Sequence, residues 1–294
     1  MEKDRMMKVL QGQLQELMRN EIHLSTKISS VHEDSLSFFG GKPFLPADFQ
    51  WPRYTLDDDL PLAFLGQLNL ADVAPFDTEG LLPRQGILSF FYELDTMEWG
   101  SSPELRDCFR VFYFSEPALL VPAVFPQDLD EAYQLPRAPV SFTSRKSLPS
   151  WEEYADLVPE PLDPQVLVDG AAPIYNKVCQ ELLGYDRQDG NKCKLLGYAN
   201  VIQDSMQMEC QLVSAGFETG NGPVPLDDSQ RQQMKVAAKD WILLFQMDSL
   251  SEGVFSQAGD FELMFGDCGR LYFYIRREDL AAGRFDCCQL VLQC

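Results

Sequence analysis

The sequence predicts an α+β protein with a duplicated architecture: two mainly antiparallel sheet units with covering helices, in a pseudo-twofold arrangement. Three observations support this fold class. Short apolar runs broken by glycine and proline alternate with stretches of helical periodicity. Apolar runs near the two ends of the chain match in sequence, and a proline-dense stretch lies between them. We therefore predict a single domain over 1–294, with halves at 36–114 and 194–294 joined by a proline-rich segment at 115–173.

The first predicted element is an amphipathic helix. The apolar residues recur at steps of three and four, which places them on one face of a helix: Met6, Leu10, Leu14, Leu17 or Met18, and Ile22. This stripe either packs on the chain's own core or binds a partner helix or surface. The polar face mixes both charges instead of being basic, which favours the first alternative.

The first half then shows four strand-like segments, at residues 38–43, 62–70, 86–94 and 109–114. Their apolar residues are nearly continuous instead of alternating, which is typical of a sheet covered on both faces. Helices are expected to supply this cover.

The proline-rich segment contains one helix signal and is followed by another. Ser150 and Glu153 fit a capping box before a helix at 151–157. A second helix is expected to begin near Pro173 and to end at Gly184.

The last third again contains short apolar runs like those of the first half. Strands are predicted at 194–203, 205–213, 241–247 and 270–275, with a final strand at 287–294. A helix is predicted at 228–239, because Asp227 or Asp228 can cap it.

The two halves align with each other through a glutamine. Placing Gln67 on Gln246 superimposes two apolar runs, each ending in a polar pair. Roughly twenty residues later, Gly86 and Gly269 each precede an aromatic strand, and a weaker match pairs residues 40–43 with 196–199. These anchors occur in the same order and predict a duplicated unit.

Charge and cysteine usage exclude several classes of protein. With 45 acidic and 24 basic residues the formal charge is −21, which disfavours binding to nucleic acid or to an anionic membrane surface. The sequence has neither a membrane-length apolar stretch nor an apolar stretch near its start, and its eight cysteines form no CxxC pair. We expect a cytoplasmic protein with reduced thiols and no metal or cofactor. The oligomeric state stays open.

Several motifs resemble those of one known family. They are GGKPFLP at 40–46, WP at 51–52, PLAFLGQL at 61–68, LLFQMD at 243–248 and FGDCGRLYF at 265–273. On these motifs the chain is similar to the YwqG-like family of uncharacterised bacterial proteins, except that Phe265 stands where the family has tryptophan. The resemblance implies a duplicated α+β fold but no reaction, and relatives are discussed beside toxin-immunity systems.

Five residues are candidates for binding a ligand. Gln67 and Gln246 end apolar runs, where each amide either bonds neighbouring backbone or faces a cleft shared by the halves. Asp267 lies in a turn-like segment that favours bonding to its own backbone. Arg53, beside Trp51, can pair with an acid or with an anionic ligand.

The sequence supports two hypotheses of function. The leading one is a non-enzymatic binding or interaction protein, with an immunity-like protein as one form of it, whose acidic surface engages a cationic protein partner. The alternative is a small-molecule-binding protein or an enzyme with a cleft between the two repeats. No catalytic residue is assigned, because the only histidines, His23 and His32, lie close together near the start of the chain.

Overall fold

The chain is a mixture of α-helices and mainly antiparallel sheets, so the predicted α+β class is confirmed. The computed structural model describes residues 2–26, 35–56, 59–162, 168–169, 172–187, 190–250 and 262–294. Its α-helices are α1 (Glu2–Leu17), α2 (Leu70–Val73), α3 (Trp151–Leu157), α4 (Ile174–Leu183), α5 (Gln207–Ser214), α6 (Asp228–Ala238) and α7 (Arg277–Ala281). Its strands are β1 (Arg19–Ser25), β2 (Phe38–Phe39), β3 (Phe44–Leu45), β4 (Arg53–Tyr54), β5 (Leu60–Pro61), β6 (Ala63–Asn69), β7 (Ile87–Tyr92), β8 (Phe109–Phe114), β9 (Val121–Pro122), β10 (Ala138–Pro139), β11 (Ser141–Ser147), β12 (Val168–Asp169), β13 (Ala172–Pro173), β14 (Lys194–Leu196), β15 (Trp241–Asp248), β16 (Arg270–Arg276) and β17 (Gln289–Gln293).

Two antiparallel sheets organise these strands. The six-stranded sheet has the order β11-β1-β14-β15-β16-β17, and the five-stranded sheet has the order β10-β2-β6-β7-β8. In each sheet three long strands follow one another along the chain, namely β6-β7-β8 and β15-β16-β17. The first strand of each trio contains a register shift, between Phe64 and Gly66 in β6 and between Leu243 and Phe245 in β15. The two sheets therefore share the order of these three strands and a bulge at the same place in the first of them.

Aromatic rings join the two sheets face to face. Phe90 of the five-stranded sheet lies 4.4 Å from Phe245 and 5.3 Å from Phe273 of the six-stranded sheet, between ring centroids. Phe39 contacts Phe245 at 6.2 Å. All four rings are at most 1% exposed, and aromatic pairs of this kind contribute about 0.5–1.5 kcal/mol each beyond the area they bury. The inner faces of the two sheets thus form the main core.

The outer faces of the two sheets are covered in different ways. On the five-stranded sheet, Phe49 and Trp51 pack against Phe91, at 6.4 and 5.3 Å between ring centroids. On the six-stranded sheet, α5 supplies Cys210 to a separate buried cluster that includes Trp241. Both sheets are therefore covered on their outer faces, as the continuous apolar strands predicted. A loop with aromatic side chains covers the five-stranded sheet, and helices cover the six-stranded sheet.

A third cluster joins the first helix to the middle of the chain. Leu10 and Leu14 of α1 are fully buried against residues of α3 and α4, including Tyr154 and Val178. The predicted helix is confirmed and its stripe packs on the chain itself, but α1 ends at Leu17 and Ile22 lies in β1.

Capping signals in the sequence mark two helices correctly. Ser150 and Glu153 form the predicted capping box of α3, and Asp227 caps α6 with Gln230 in the same reciprocal arrangement.

No helix among the residues that the structure describes is long and apolar enough to cross a membrane.

The predicted strand at 205–213 is wrong, because Gln207–Ser214 is the helix α5. Its apolar residues Met206, Cys210 and Val213 recur at steps of four and three, which is the helical period, and all three are buried. The strand predicted at 194–203 is also shorter, since β14 ends at Leu196.

Candidate functional site

The side chain of Gln67 is bonded to nearby backbone. It is fully buried, its Oε1 accepts the N–H of Phe44 at 2.8 Å, and its Nε2 donates to the carbonyl of Leu36 at 3.0 Å. Both amide groups have a partner, and the bonds tie the chain on either side of β2 to β6.

Gln246 makes the same pair of bonds in the six-stranded sheet. It is also fully buried, its Oε1 accepts the N–H of Asn200 at 2.8 Å, and its Nε2 donates to the carbonyl of Lys192 at 2.6 Å. The bonded residues lie on either side of β14, as those of Gln67 lie on either side of β2.

The two glutamines point away from each other. Phe90 and Phe245 meet at the interface of the sheets, and neighbouring residues of a strand point to opposite faces. Gln246 therefore points outward from its sheet, and so does Ser89, the residue before Phe90. Gln67 shares a face with Ser89, its partner in register. The structure consequently does not bring the two amides into a shared cleft.

The other three predicted site residues lie elsewhere. Arg53 pairs with Asp59 at 3.1 Å and with Asp128 at 2.5 Å, and these carboxylates raise its pKa. The indole N–H of Trp51 donates to the carbonyl of Leu62 at 2.9 Å. Asp267 is exposed in a turn before β16.

A large cavity lies instead on the outer face of the six-stranded sheet. Its volume is about 530 Å³, within the range of about 300–1,000 Å³ that small-molecule sites occupy. Its walls come from β1, α3, α5, α6, β15 and β16. Apolar side chains form much of the lining, among them Leu196, Met208, Trp241, Ile242 and Leu243. The five residues singled out from the sequence do not line it.

Glu153 places a buried carboxyl group at this cavity. It is 3% exposed, one carboxyl oxygen accepts the N–H of Ser150 at 3.1 Å, and the other accepts from Nε2 of Gln207 at 2.7 Å. Burial raises the pKa of Glu153, although the bonds from Ser150 and Gln207 and the charges of Arg187 and Lys194 oppose the shift. The group is thus biased toward the neutral acid, which can donate as well as accept a hydrogen bond.

Tyr274, whose hydroxyl group is buried, also lines this cavity. It lies on β16 and is 1% exposed, and its hydroxyl has no hydrogen-bond partner among the residues that the structure describes. Burial, followed by the proximity of Glu153, raises its pKa far above the ordinary value of 10. A neutral hydroxyl without a partner is a donor and an acceptor that a ligand can use.

The remaining charges around the cavity nearly balance. Its cationic side chains are Arg19, Lys235, Lys239 and Arg277, and its carboxylates other than Glu153 are Glu79, Asp156 and Asp204. Arg19 and Glu79 lie 3.9 Å apart and are partly exposed, so their interaction is weak. Selectivity is therefore expected to come from the buried polar groups and the apolar walls, not from net charge.

Sequence reasoning recognised Glu153 only as a helix cap and did not single out Tyr274. The cavity combines segments that are far apart in the chain, and a single sequence carries no signal for that proximity. Among the described residues, no three His, Cys, Asp or Glu side chains come together as a metal site.

Comparison with known proteins places the chain in a family. It belongs to the family of the domain of unknown function DUF1963, whose pattern matches residues 37–294. No curated protein matches the chain. Helix α1 and strand β1 precede the matched range, yet β1 supplies Arg19 and Asn20 to the cavity.

Proposed function

We propose that the protein binds a small molecule in the cavity on the outer face of the six-stranded sheet. The observation that carries the proposal is that two residues with buried polar groups, Glu153 with its carboxyl and Tyr274 with its unbonded hydroxyl, line a cavity of about 530 Å³. A buried hydroxyl without a partner costs about 1–3 kcal/mol, and a ligand that bonds to it recovers that cost.

The lining favours a particular kind of ligand. Apolar walls that include Trp241 and Leu243 suit a partly apolar body, whereas Glu153 and Tyr274 suit one group that both donates and accepts hydrogen bonds. We propose binding alone and assign no reaction to the site.

A thermal-shift screen against small metabolites tests this proposal. A ligand at a hundred times its Kd stabilises the folded chain by about 2.7 kcal/mol, which corresponds to a rise in Tm of about 5 °C for a chain of this size. Ala155→Trp, at an exposed helical position that lines the cavity, should abolish the shift.

Ala237→Trp is the matched control, because Ala237 is an exposed helical alanine that does not line the cavity. The proposal fails if no compound stabilises the natural chain, or if Ala155→Trp and Ala237→Trp respond alike.

The net charge supports a second proposal, an interaction with a cationic protein. A formal charge of −21 steers basic partners and repels acidic ones. A basic protein captured from native lysate at about 0.1 M salt should be released at about 1 M, where the Debye length falls from about 10 Å to about 3 Å. Recovery of the protein alone at low salt would contradict this proposal.

We also propose that the two halves are copies of one unit related by a pseudo-twofold axis. The matching bonds of Gln67 and Gln246 support this. The backbone supports it too. Phe38 pairs with Gln67 and Lys194 pairs with Gln246 in the sheets. Two residues after each of these partners, Gly40 and Leu196 have φ of 57° and 59°. Placement among YwqG-like proteins and a cytoplasmic location remain predictions from the sequence.

A further inference from the structure

A second, smaller cleft lies beside the edge of the six-stranded sheet. Its volume is about 20 Å³, enough for about one small group and far less than a whole metabolite. Strand β1 contributes Glu21, β11 contributes Arg145, and β14 contributes Lys194, while the chain between α4 and β14 contributes Arg187 and Lys192.

Positive charge dominates this cleft in an acidic protein. Four cationic side chains line it against one carboxylate, that of Glu21, although the whole chain carries −21. The carboxylate is already paired, since Oε2 of Glu21 lies 2.7 Å from Nζ of Lys194 and both residues are about 5% exposed. The two arginines are therefore not balanced by Glu21.

The two arginines keep donor groups available for a ligand. Nη1 of Arg187 donates to the carbonyl of Pro149 at 2.8 Å, and the guanidinium carbon of Arg145 lies 5.4 Å from the ring centroid of Tyr185. Within the described ranges, neither arginine forms a salt bridge with a carboxylate. A guanidinium has five N–H donors in a planar fork. In the described part of the chain, Arg187 contacts the Pro149 carbonyl and Cys179, whereas the Arg145 guanidinium makes no hydrogen bond.

The neighbouring histidine reports the same positive field. Burial, and then the charge of Arg145, lowers the pKa of His23 from 6.5 to about 4, with Lys194 and Lys192 acting in the same direction. His23 is therefore neutral at neutral pH and offers a ring that can accept or donate a hydrogen bond.

We propose that this cleft binds a small oxyanion, the phosphate or carboxylate group of a ligand, between Arg145 and Arg187. Planar guanidinium groups match the oxygens of such anions, and charge-assisted hydrogen bonds are about twice as strong as neutral ones. The site is distinct from the large cavity, so either proposal can fail without the other.

Calorimetric titration of the full-length protein with inorganic phosphate, and separately with acetate, tests the site at low ionic strength. We expect saturable binding of at least one of these anions below about 10 mM. Phosphate binding identifies a phosphate group as the natural ligand group, and binding of acetate alone identifies a carboxylate.

Variants show whether the binding occurs in this cleft. Arg187→Gln and Arg145→Gln should each weaken binding roughly tenfold to a hundredfold, the loss expected for one charge-assisted contact. Arg231→Gln is the matched control, because it changes the net charge equally at an exposed position on α6 that lines neither cavity. Circular dichroism and Tm without anion confirm that each variant is folded.

Three results overturn the proposal. The first is the absence of saturable binding of either anion by the natural chain. The second is binding that survives both cleft variants, and the third is equal weakening of binding by Arg231→Gln and by the cleft variants. Arg145 is only partly buried, so its variant remains informative if Arg187→Gln does not fold.

Discussion

Two tyrosines of β16 provide a matched test of the cavity. Tyr272 and Tyr274 lie two residues apart on the same face, and each is at most 1% exposed. The Tyr272 hydroxyl donates to the carbonyl of Asn200 at 2.7 Å, whereas that of Tyr274 has no partner in the described part of the chain. Replacing each by phenylalanine therefore removes a bonded hydroxyl in one case and an unbonded one in the other.

The two variants should change stability in different ways. Tyr272→Phe should lower the free energy of unfolding by about 1 kcal/mol, the net contribution of one buried hydrogen bond. The loss stays near that value because Nη1 of Arg270 also donates to the Asn200 carbonyl, at 3.0 Å. Tyr274→Phe should leave the free energy unchanged or raise it by up to about 1 kcal/mol, because it removes a desolvated group that gains no bond.

Urea denaturation followed by circular dichroism measures both values. The comparison requires equal m-values, since a change in m signals a change in the exposed surface and not only in stability. A compound that stabilises the natural chain should also lose most of its effect on Tyr274→Phe. The reasoning is refuted if Tyr274→Phe destabilises the chain as much as Tyr272→Phe, because the Tyr274 hydroxyl must then have a partner.

Three further predictions concern buried polar groups. Gln67→Leu and Gln246→Leu should each lower the free energy of unfolding by about 2–4 kcal/mol in urea titrations, since each leaves two backbone groups that are at least partly buried without a partner. A loss below about 1 kcal/mol at either position would contradict the bonding described here. The pKa of His23 falls to about 4 in the folded chain, so the free energy of unfolding declines as the pH falls from about 7 to about 4. In His23→Gln this decline should be smaller by about 1–2 kcal/mol, after allowance for the partial exposure of the side chain. Because burial raises the pKa of Glu153, stability is lost as the pH rises above the pKa of an unfolded glutamate. Glu153→Gln should therefore reduce that loss in a stability–pH profile, and an unchanged profile would argue against the buried acid.

Local chemistry made several elements predictable from the sequence. The capping boxes at Ser150 and Asp227 involve residues three apart, so a single segment contains all the information needed. The α+β class and the first helix followed from periodicity in the same way. Helix α5 was missed because its short apolar pattern was interpreted as a buried strand, and tertiary packing decides between the two.

The candidate site depends on contacts that no local pattern encodes. Glu153, Gln207 and Tyr274 line one cavity although they lie on α3, α5 and β16, which are far apart in the chain. Gln67 and Gln246 were correctly recognised as buried amides in need of partners, yet the direction in which each points depends on which strand face meets the other sheet. Burial and strand orientation are properties of the assembled fold.

The registers of the two sheets define which positions correspond. Gln67 lies opposite Ser89, and Gln246 lies opposite Tyr272. Two residues further along each strand, Phe91 therefore occupies the place in the five-stranded sheet that Tyr274 occupies in the six-stranded sheet.

The packing at this shared position differs in a way that bears on function. Phe91 is fully buried beneath the rings of Phe49 and Trp51, which fill the outer face of the five-stranded sheet. Tyr274 stands at the same place beside a cavity, with a hydroxyl that bonds to no described residue. An apolar ring is sufficient to fill the core at this position, whereas a buried hydroxyl without a hydrogen bond lowers stability. Since Phe91 shows that this place in the sheet accepts an apolar ring, the tyrosine and the open space beside it support the proposed binding of a ligand.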